Sequence, residues 1–257
     1  MVRSKSWLAG LASILGSVCM LLALPSASEA SAAQDLAKAK DKGKVAFVLV
    51  TEPGASGVAE AEGVIRDAVK KSKKATMILL DRSKPENAEL VSRYRLSGPQ
   101  IPVVLVFASN GALAGGALVG GMTSERLLGM VPAKREAELI GLLQSGQAVL
   151  VLASRKDMAG EPEAFRACEK ARELSTGKLS IVRVEMDDRD EQAFMRKLRI
   201  DAGSAKPVTV VISSRGQVTG AFEGLAEPAA LVLASTKVGG GCAPGACKPG
   251  TPACKPR

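Results

Sequence analysis

The residues with the clearest chemical potential are three cysteines near the C-terminus, Cys242, Cys247 and Cys254. They lie in GGGCAPGACKPGTPACKPR (residues 239–257), whose Gly/Pro-rich composition is typical of an extended chain. Their spacing, Cys-x4-Cys-x6-Cys, is looser than that of structural zinc sites, and three thiolates would also suit a soft ion such as Cu(I). A Cys242–Cys247 disulfide with Cys254 paired to another chain is an alternative, as are thiols without a specific role. We therefore expect no cofactor, with Cu or Zn on this tail as the alternative.

Elsewhere the sequence offers little for catalysis. It has no histidine, which removes the commonest general base and a common metal ligand. Ser56 with Glu52 could form a nucleophile and base, but no third group orients them, and a helix-capping serine is the simpler interpretation. The acidic run at residues 185–191 is better explained as a strand end followed by a helix start than as a cation site. Cys168 lies on a stripe of small residues and is expected to be a buried apolar side chain. No catalytic residue is predicted.

The N-terminus has the layout of an export signal. Arg3 and Lys5 precede an apolar run from Trp7 to Leu24, and small residues follow Pro25. We predict a signal peptide over residues 1–32, cleaved between Ala30 and Ala33, with a retained membrane anchor as the alternative. Cleavage would leave no permanent membrane span, and export would place the protein in the periplasm or outside the cell, where thiols tend to be oxidised.

Composition narrows the class of partner. The 257 residues are 46% hydrophobic and 24% charged, which is enough apolar material for folded cores. The net charge of +9 favours anionic partners, such as an acidic protein or an anionic envelope surface, although a solvated basic surface is the simpler explanation. Nucleic acid is not expected, because the chain has an export signal and only 3% aromatic residues.

The sequence segments that should form the strands and helices of the folded part occur twice along the chain. IPVVLVFASNG (101–111) returns as KPVTVVISSRG (206–216), which aligns Pro102 with Pro207. The upstream matches are 88–96 with 192–200, 75–81 with 179–185, and 44–54 with 147–157. Such self-similarity predicts two copies of one unit of about a hundred residues.

Each copy predicts the same order of elements: strand, helix, strand, helix, strand, hairpin, strand, helix. The opening strand is an unbroken apolar run typical of a strand covered on both faces. The predicted strands are Val45–Val50, Met77–Leu80 and Val103–Phe107, with Ala148–Ala153, Ile181–Val184 and Val208–Ile212 in the second copy, and the hairpin turns are Asn110-Gly111 and Arg215-Gly216. The first helix has the stripe Ala61, Val64, Ile65, Ala68 and Val69, echoed by Ala164, Ala167, Cys168, Ala171 and Leu174. Thr123-Ser124 begins a further helical segment, and Pro132 begins another helix that ends near Gly146 and joins the copies. The fold class is α/β, with a mixed central sheet flanked by helices in each copy.

This order, the charged strand end VEMDD (184–188), the short helix AELVSRYRL (88–96) and the proline that opens the third strand resemble the thioredoxin-like superfamily. The resemblance implies cis prolines at Pro102 and Pro207, beside the position of an active site. The backbone of Ile101 and Lys206 would then pair with an extended peptide. Trans prolines that begin strands are the alternative. The predicted organisation is a first domain over 43–130, a connecting helix over 131–145, a second domain over 146–236, and the tail over 237–257.

The chain departs from that superfamily where the chemistry should lie. Thioredoxins carry Cys-x-x-Cys after the first strand, but the two copies read TEPGASGVAE (51–60) and SRKDMAGEPE (154–163), without cysteine. The sequence therefore favours an exported, non-catalytic protein-binding or scaffold module of the cell envelope. The alternative is a thiol-redox or soft-metal protein that works through Cys242, Cys247 and Cys254.

Overall fold

A computed structural model describes residues 31–98 and 100–237, which form two units with the same order of elements. The first unit contains α1 (Ala32–Asp41), β1 (Val45–Thr51), α2 (Val58–Lys71), β2 (Ala75–Asp81), α3 (Ala88–Arg93), β3 (Val103–Phe107), β4 (Leu113–Leu118) and α4 (Ser124–Gly129). The second contains α5 (Lys134–Gln144), β5 (Ala148–Ser154), α6 (Glu161–Leu174), β6 (Leu179–Glu185), α7 (Gln192–Lys197), β7 (Val208–Ile212), β8 (Val218–Glu223) and α8 (Pro228–Thr236). None of the helices in these ranges is long and apolar enough to cross a membrane.

Each unit has one four-stranded mixed sheet. The strand order is β2-β1-β3-β4 in the first unit and β6-β5-β7-β8 in the second. The first two strands of each unit are parallel, and the other pairings are antiparallel, so β1 pairs with β2 on one side and with β3 on the other. This arrangement confirms the predicted fold class. The third strands begin and end where the sequence predicted, at residues 103–107 and 208–212.

The central strands are buried on both faces, as their unbroken apolar runs indicated. Every residue of β1 and β5 is buried. Because successive side chains of a strand point to opposite faces, Phe47 and Leu49 pack against α2, whereas Val48 and Val50 belong to the cluster that contains α1 and α3 residues. The helix stripes are also largely as predicted, with the exception of Leu174. Its side chain is exposed, and Leu174 is the last residue of α6.

Two helices differ from the sequence-based expectation. Helix α1 was not predicted. It begins after Ser31, whose hydroxyl accepts the backbone N–H of Gln34, and it packs its buried Ala32 and Ala39 onto the sheet. Helix α5 was predicted only to connect the units. It also contributes Leu139 to the core of the second unit and packs against β5 and β6, as α1 packs against β1 and β2.

Candidate functional site

In the first unit, the loop after β1 meets the proline that precedes β3. This loop, residues 51–57, is called site loop 1. It ends at Gly57, the N-cap residue of α2, which has a positive φ of 79°. A Cβ atom at Gly57 would lie 3.9 Å from Cγ of the buried Pro102, and the Ile101–Pro102 peptide bond is cis. Site loop 1 and the cis proline therefore lie together, as the resemblance implied.

The second unit repeats this meeting with a different proline geometry. Site loop 2, residues 154–160, ends at Gly160, where a Cβ atom would lie 4.0 Å from Cδ of Pro207. Ile101–Pro102 is the only cis peptide bond within residues 31–98 and 100–237, so the expectation of a cis bond at Pro207 is wrong. Trans is the default state unless tertiary contacts hold the cis form. Here the Ser204 hydroxyl binds both the N–H and the C=O of Lys206, at 3.1 and 2.8 Å, and holds this longer loop in its own turn.

The backbone before the proline also differs between the units. In the described part of the chain, neither the N–H nor the C=O of Ile101 forms a hydrogen bond. In the second unit, the N–H and the C=O of Lys206 are both hydrogen-bonded to the Ser204 hydroxyl, and the carbonyl of Pro207 accepts the N–H of Gly224 at 2.7 Å. The first unit therefore presents free backbone groups beside its proline, and the second unit does not.

A buried arginine connects site loop 1 to the segment that leads into β3. The side chain of Arg82, which follows β2, is only 14% exposed. Its Nε donates to Oε2 of Glu52 at 2.6 Å, and its Nη1 donates to the carbonyl of Leu96 at 3.0 Å and to the carbonyl of Gly98. The planar guanidinium can hold a carboxylate and carbonyls at once, which an ammonium group would do less well.

Site loop 2 is also held by a contact between an arginine and a carboxylate, but the positions of the two charged residues are exchanged. Here the arginine, Arg155, belongs to the site loop, and the acid, Asp187, follows β6, with 3.1 Å between Nε and Oδ1. Nη1 of Arg155 donates to the carbonyl of Ser204 at 2.7 Å, and Nη2 of Arg155 donates to the carbonyl of Ala202. Sequence reasoning missed both arginines, because they and their acids lie about 30 residues apart and meet only in the folded chain. The signal that could have found them is the reversed charge at aligned loop positions.

Ser56 and Cys168, the two candidate nucleophiles in or near the site loops, are not arranged for nucleophilic chemistry. Ser56 is exposed and has no hydrogen bond to Glu52, whose carboxylate is held by Arg82. Cys168, the cysteine nearest to these loops in sequence, is fully buried in α6, and its Sγ lies 4.0 Å from Oγ1 of Thr209. Burial raises the pKa of the Cys168 thiol to about 11, which suppresses the thiolate needed for exchange.

The remaining predicted site residues fall outside the described ranges. Cys242, Cys247 and Cys254 follow residue 237, and residues 1–30 of the predicted export signal precede the described range. Within the ranges that are described, no three or more His, Cys, Asp or Glu side chains come together as a metal site would require.

No protein-family model and no curated protein sequence matches the chain. Among solved structures, the first two thioredoxin domains of Naumovozyma dairenensis Eps1p are 10% identical over 85% of this chain and 100% of that chain, with a TM-score of 0.32. The corresponding domains of Saccharomyces cerevisiae Eps1p are 13% identical over 78% and 95%, with a TM-score of 0.29. A single-domain match, thioredoxin O2 from Arabidopsis thaliana in its oxidised state, is 18% identical over 38% and 83%, with a TM-score of 0.31.

The topology itself defines the class of protein. Each unit has the same succession of strands and helices, a mixed sheet of the same strand order, and a buried proline beside the loop after its first strand. Each unit therefore has a thioredoxin-like fold. The chain therefore carries two thioredoxin-like domains in tandem.

Proposed function

We propose that the protein is an exported, non-catalytic binding module that holds an extended polypeptide beside Pro102. The single observation that supports this role most strongly is the free backbone of Ile101 next to a cis proline and a loop without cysteine. Extended peptides gain affinity by pairing their main chain with unpaired backbone groups of this kind. The export part of the proposal rests on the N-terminal sequence.

The arginine contacts support binding in preference to catalysis. The guanidinium of Arg82 donates hydrogen bonds to Glu52 and to two backbone carbonyls, and these bonds fix the shape of site loop 1. A loop held in one conformation loses less entropy when it binds a ligand. The second unit, whose Lys206 backbone is already occupied, would serve as a support for the first or as a weaker contact surface.

The test uses an unfolded binding partner whose cysteines are all blocked, reduced and carboxymethylated α-lactalbumin, added to the 15N-labelled protein. We expect the amide signals of Gly57 and Ile101 to shift with saturation. Pro102→Ala should weaken binding at least tenfold, because it removes the residue that presents the Ile101 backbone. The matched variant Pro207→Ala should bind within twofold of the parent, and thermal unfolding checks that both variants fold.

The same protein should fail to reduce insulin, since neither site loop contains a thiol. Insulin turnover, or peptide-induced shifts confined to the second unit, would overturn the proposal. Equal binding by the parent and a folded Pro102→Ala variant would do the same. Should Pro102→Ala not fold, the shift of the Ile101 amide in the parent decides the question.

The alternative, a thiol-redox or soft-metal protein that uses Cys242, Cys247 and Cys254, stays a prediction. The burial of Cys168 favours this alternative over a redox role of Cys168 itself, because Cys168 is the remaining cysteine beyond the predicted signal. Metal analysis of the full chain against a chain that ends at Lys237 tests it. Equal Cu and Zn content in both, with equal thiol titration per remaining cysteine, would exclude this alternative.

A further inference from the structure

A cavity lies at the end of the second unit that is remote from site loop 2. Its volume is about 330 Å³, at the small end of the range for ligand pockets. It lies where β5 begins, at Ala148, and where α6 and α8 end, and the turn between β7 and β8 closes one side. Site loop 2 follows the other end of β5, so this cavity is separate from the proposed peptide site.

The wall of this cavity is strongly basic. Lys178, Arg215 and Lys237 contribute to it, and no acidic residue does. Within the described residues, none of these three cations forms an ion pair. Lys178, Arg215 and Lys237 are exposed residues at the rim of one cavity. Three cations placed around a cavity without acidic residues favour an anion with several negative oxygens.

The two helix ends at the cavity act in the opposite direction. Each helix C-terminus carries a partial negative charge equivalent to about half an elementary charge. Two such ends offset about one of the three full positive charges, so the cavity stays net positive. The helix ends are also occupied, because the hydroxyls of Ser175, Ser235 and Thr236 donate to carbonyls of their own helices.

A buried hydroxyl without a partner supports the same conclusion. Ser213 lines the cavity and is 3% exposed, and its Oγ has no hydrogen-bond partner in the described part of the chain. Such a group is costly unless something binds it. In the first unit the equivalent turn has the same two backbone hydrogen bonds, but Ala108 stands where the second unit has Ser213, and Asn110 where it has Arg215. The basic cavity with its serine is therefore a property of the second unit.

We propose that this cavity binds the phosphate group of a small soluble ligand, with Lys178, Arg215 and Lys237 as its cations and the Ser213 hydroxyl as a donor. A phosphate dianion offers enough oxygens for several cations at once, and arginine pairs with it through two parallel hydrogen bonds. The small volume favours inorganic phosphate or a short phosphate monoester over a larger ligand.

The test is an NMR titration of the 15N-labelled protein with inorganic phosphate, in which sodium phosphate replaces NaCl at constant ionic strength. We expect saturable shifts of the amides at residues 213–216 and at Lys178, with no such shifts at residues 108–111. Arg215→Gln and Lys178→Gln should each weaken binding at least tenfold. Lys74→Gln, at the matching position of the first unit, should bind within twofold of the parent.

Ser213→Ala restores the residue of the first unit and gives a second readout. It should weaken phosphate binding several-fold while thermal stability is kept or raised, because a hydroxyl without a partner has been removed. The proposal is overturned if phosphate shows no saturable shifts up to 10 mM, or if the variants bind as the parent does. Binding only to vesicles that contain phosphatidylglycerol, without binding of free phosphate or glycerol phosphate, would assign the basic surface to lipid instead and also overturn it.

Discussion

The type of residue at one aligned position decides how each site loop is held. Glu52 and Arg155 occupy equivalent places in the two loops, and their partners Arg82 and Asp187 follow the second strand of each unit. In both units the guanidinium also donates to backbone carbonyls of the segment before β3 or β7. The arginine can therefore lie either after the second strand or in the site loop, and the loop stays joined to that segment. In both units this aligned position therefore serves as a structural contact.

A residue-scale prediction concerns Cys168. Because burial raises its pKa to about 11, its neutral thiol favours the folded state. This contribution is complete below the pKa of the unfolded thiol, near 9, and is lost as the pH rises from there to about 11. We expect the stability advantage of the parent over Cys168→Ala to fall by on the order of 2 kcal/mol across this interval.

Chemical denaturation of the parent and of Cys168→Ala at pH 8, 9.5 and 11 measures this difference. The subtraction removes the titration of lysines, which both proteins share. A constant difference across the three pH values would contradict the burial of this thiol. The folded parent should also leave Cys168 unmodified by a thiol reagent at pH 8.

At the scale of elements, the N-terminus of the helix that opens each unit is capped by a side chain from the residue just before α3 or α7. The Asn87 side chain accepts the N–H of Ala32 at 3.2 Å in the first unit. In the second, Glu191 accepts the N–H of Arg135 at 2.9 Å, although it is only 3% exposed and its Oε2 has no partner within the described ranges. Desolvation raises the pKa of Glu191. The second unit thus places a carboxyl where the first has a neutral amide.

This difference predicts a pH-dependent effect of Glu191→Gln. Because the folded pKa is raised, the stabilisation by the protonated carboxyl is present below the unfolded value, near 4.5, and is lost as the pH rises through the folded pKa. At pH 7 we expect Glu191→Gln to raise the free energy of unfolding by about 1 kcal/mol, since it keeps the acceptor and removes the charge.

At pH 4 the advantage of Glu191→Gln should nearly vanish, because the parent is then protonated. Glu191→Ala is the matched control and should cost about 1 kcal/mol, since it leaves the α5 N-terminus without a cap. Urea unfolding at the two pH values measures all three proteins. A loss of stability in Glu191→Gln equal to that in Glu191→Ala would show that the carboxylate itself is required.

At the scale of the whole molecule, α5 joins the units by more than chain connection. The amide of Gln144 forms two hydrogen bonds with the backbone of Leu113, at 3.2 and 2.8 Å, and Asn110 donates to the carbonyl of Ala137 at 2.6 Å. Gly141 allows this approach, since a Cβ atom there would lie 3.2 Å from Nδ2 of Asn110. The hairpin turn of the first unit is therefore docked onto the first helix of the second.

We predict that the double variant Asn110→Ala, Gln144→Ala uncouples the two units. It removes the three hydrogen bonds between the units, of about 1 kcal/mol each, and also the bond from the N–H of Ala112 to Asn110 within the turn, without touching either core. Scanning calorimetry should show two transitions that are further separated than in the parent. Glu89→Ala, which removes an exposed ion pair within α3, should leave the transitions unchanged. An unchanged calorimetric profile in the double variant would mean that the docking carries no coupling.

Much of the fold was predictable because its signals are local. The apolar runs identified the central strands, the Pro-led segments located β3 and β7, and the repeat showed that one topology occurs twice. Helix α1 escaped prediction because it begins at the end of the segment interpreted as an export signal, residues 1–32. The site loops were also located from sequence, since the absence of cysteine from residues 51–60 and 154–163 needs no coordinates.

By itself, then, the sequence determined the tandem architecture and the absence of cysteine from both site loops, because periodicity and residue type are properties of the chain. Only the tertiary structure decided what replaces that chemistry. The arginine contacts, the free backbone of Ile101 and the occupied backbone of Lys206 each join residues that are distant in sequence or depend on a turn geometry. The basic cavity of the second unit likewise gathers residues from four segments between Gly146 and Lys237. Such contacts are set by how the helices and strands pack, which no local pattern specifies.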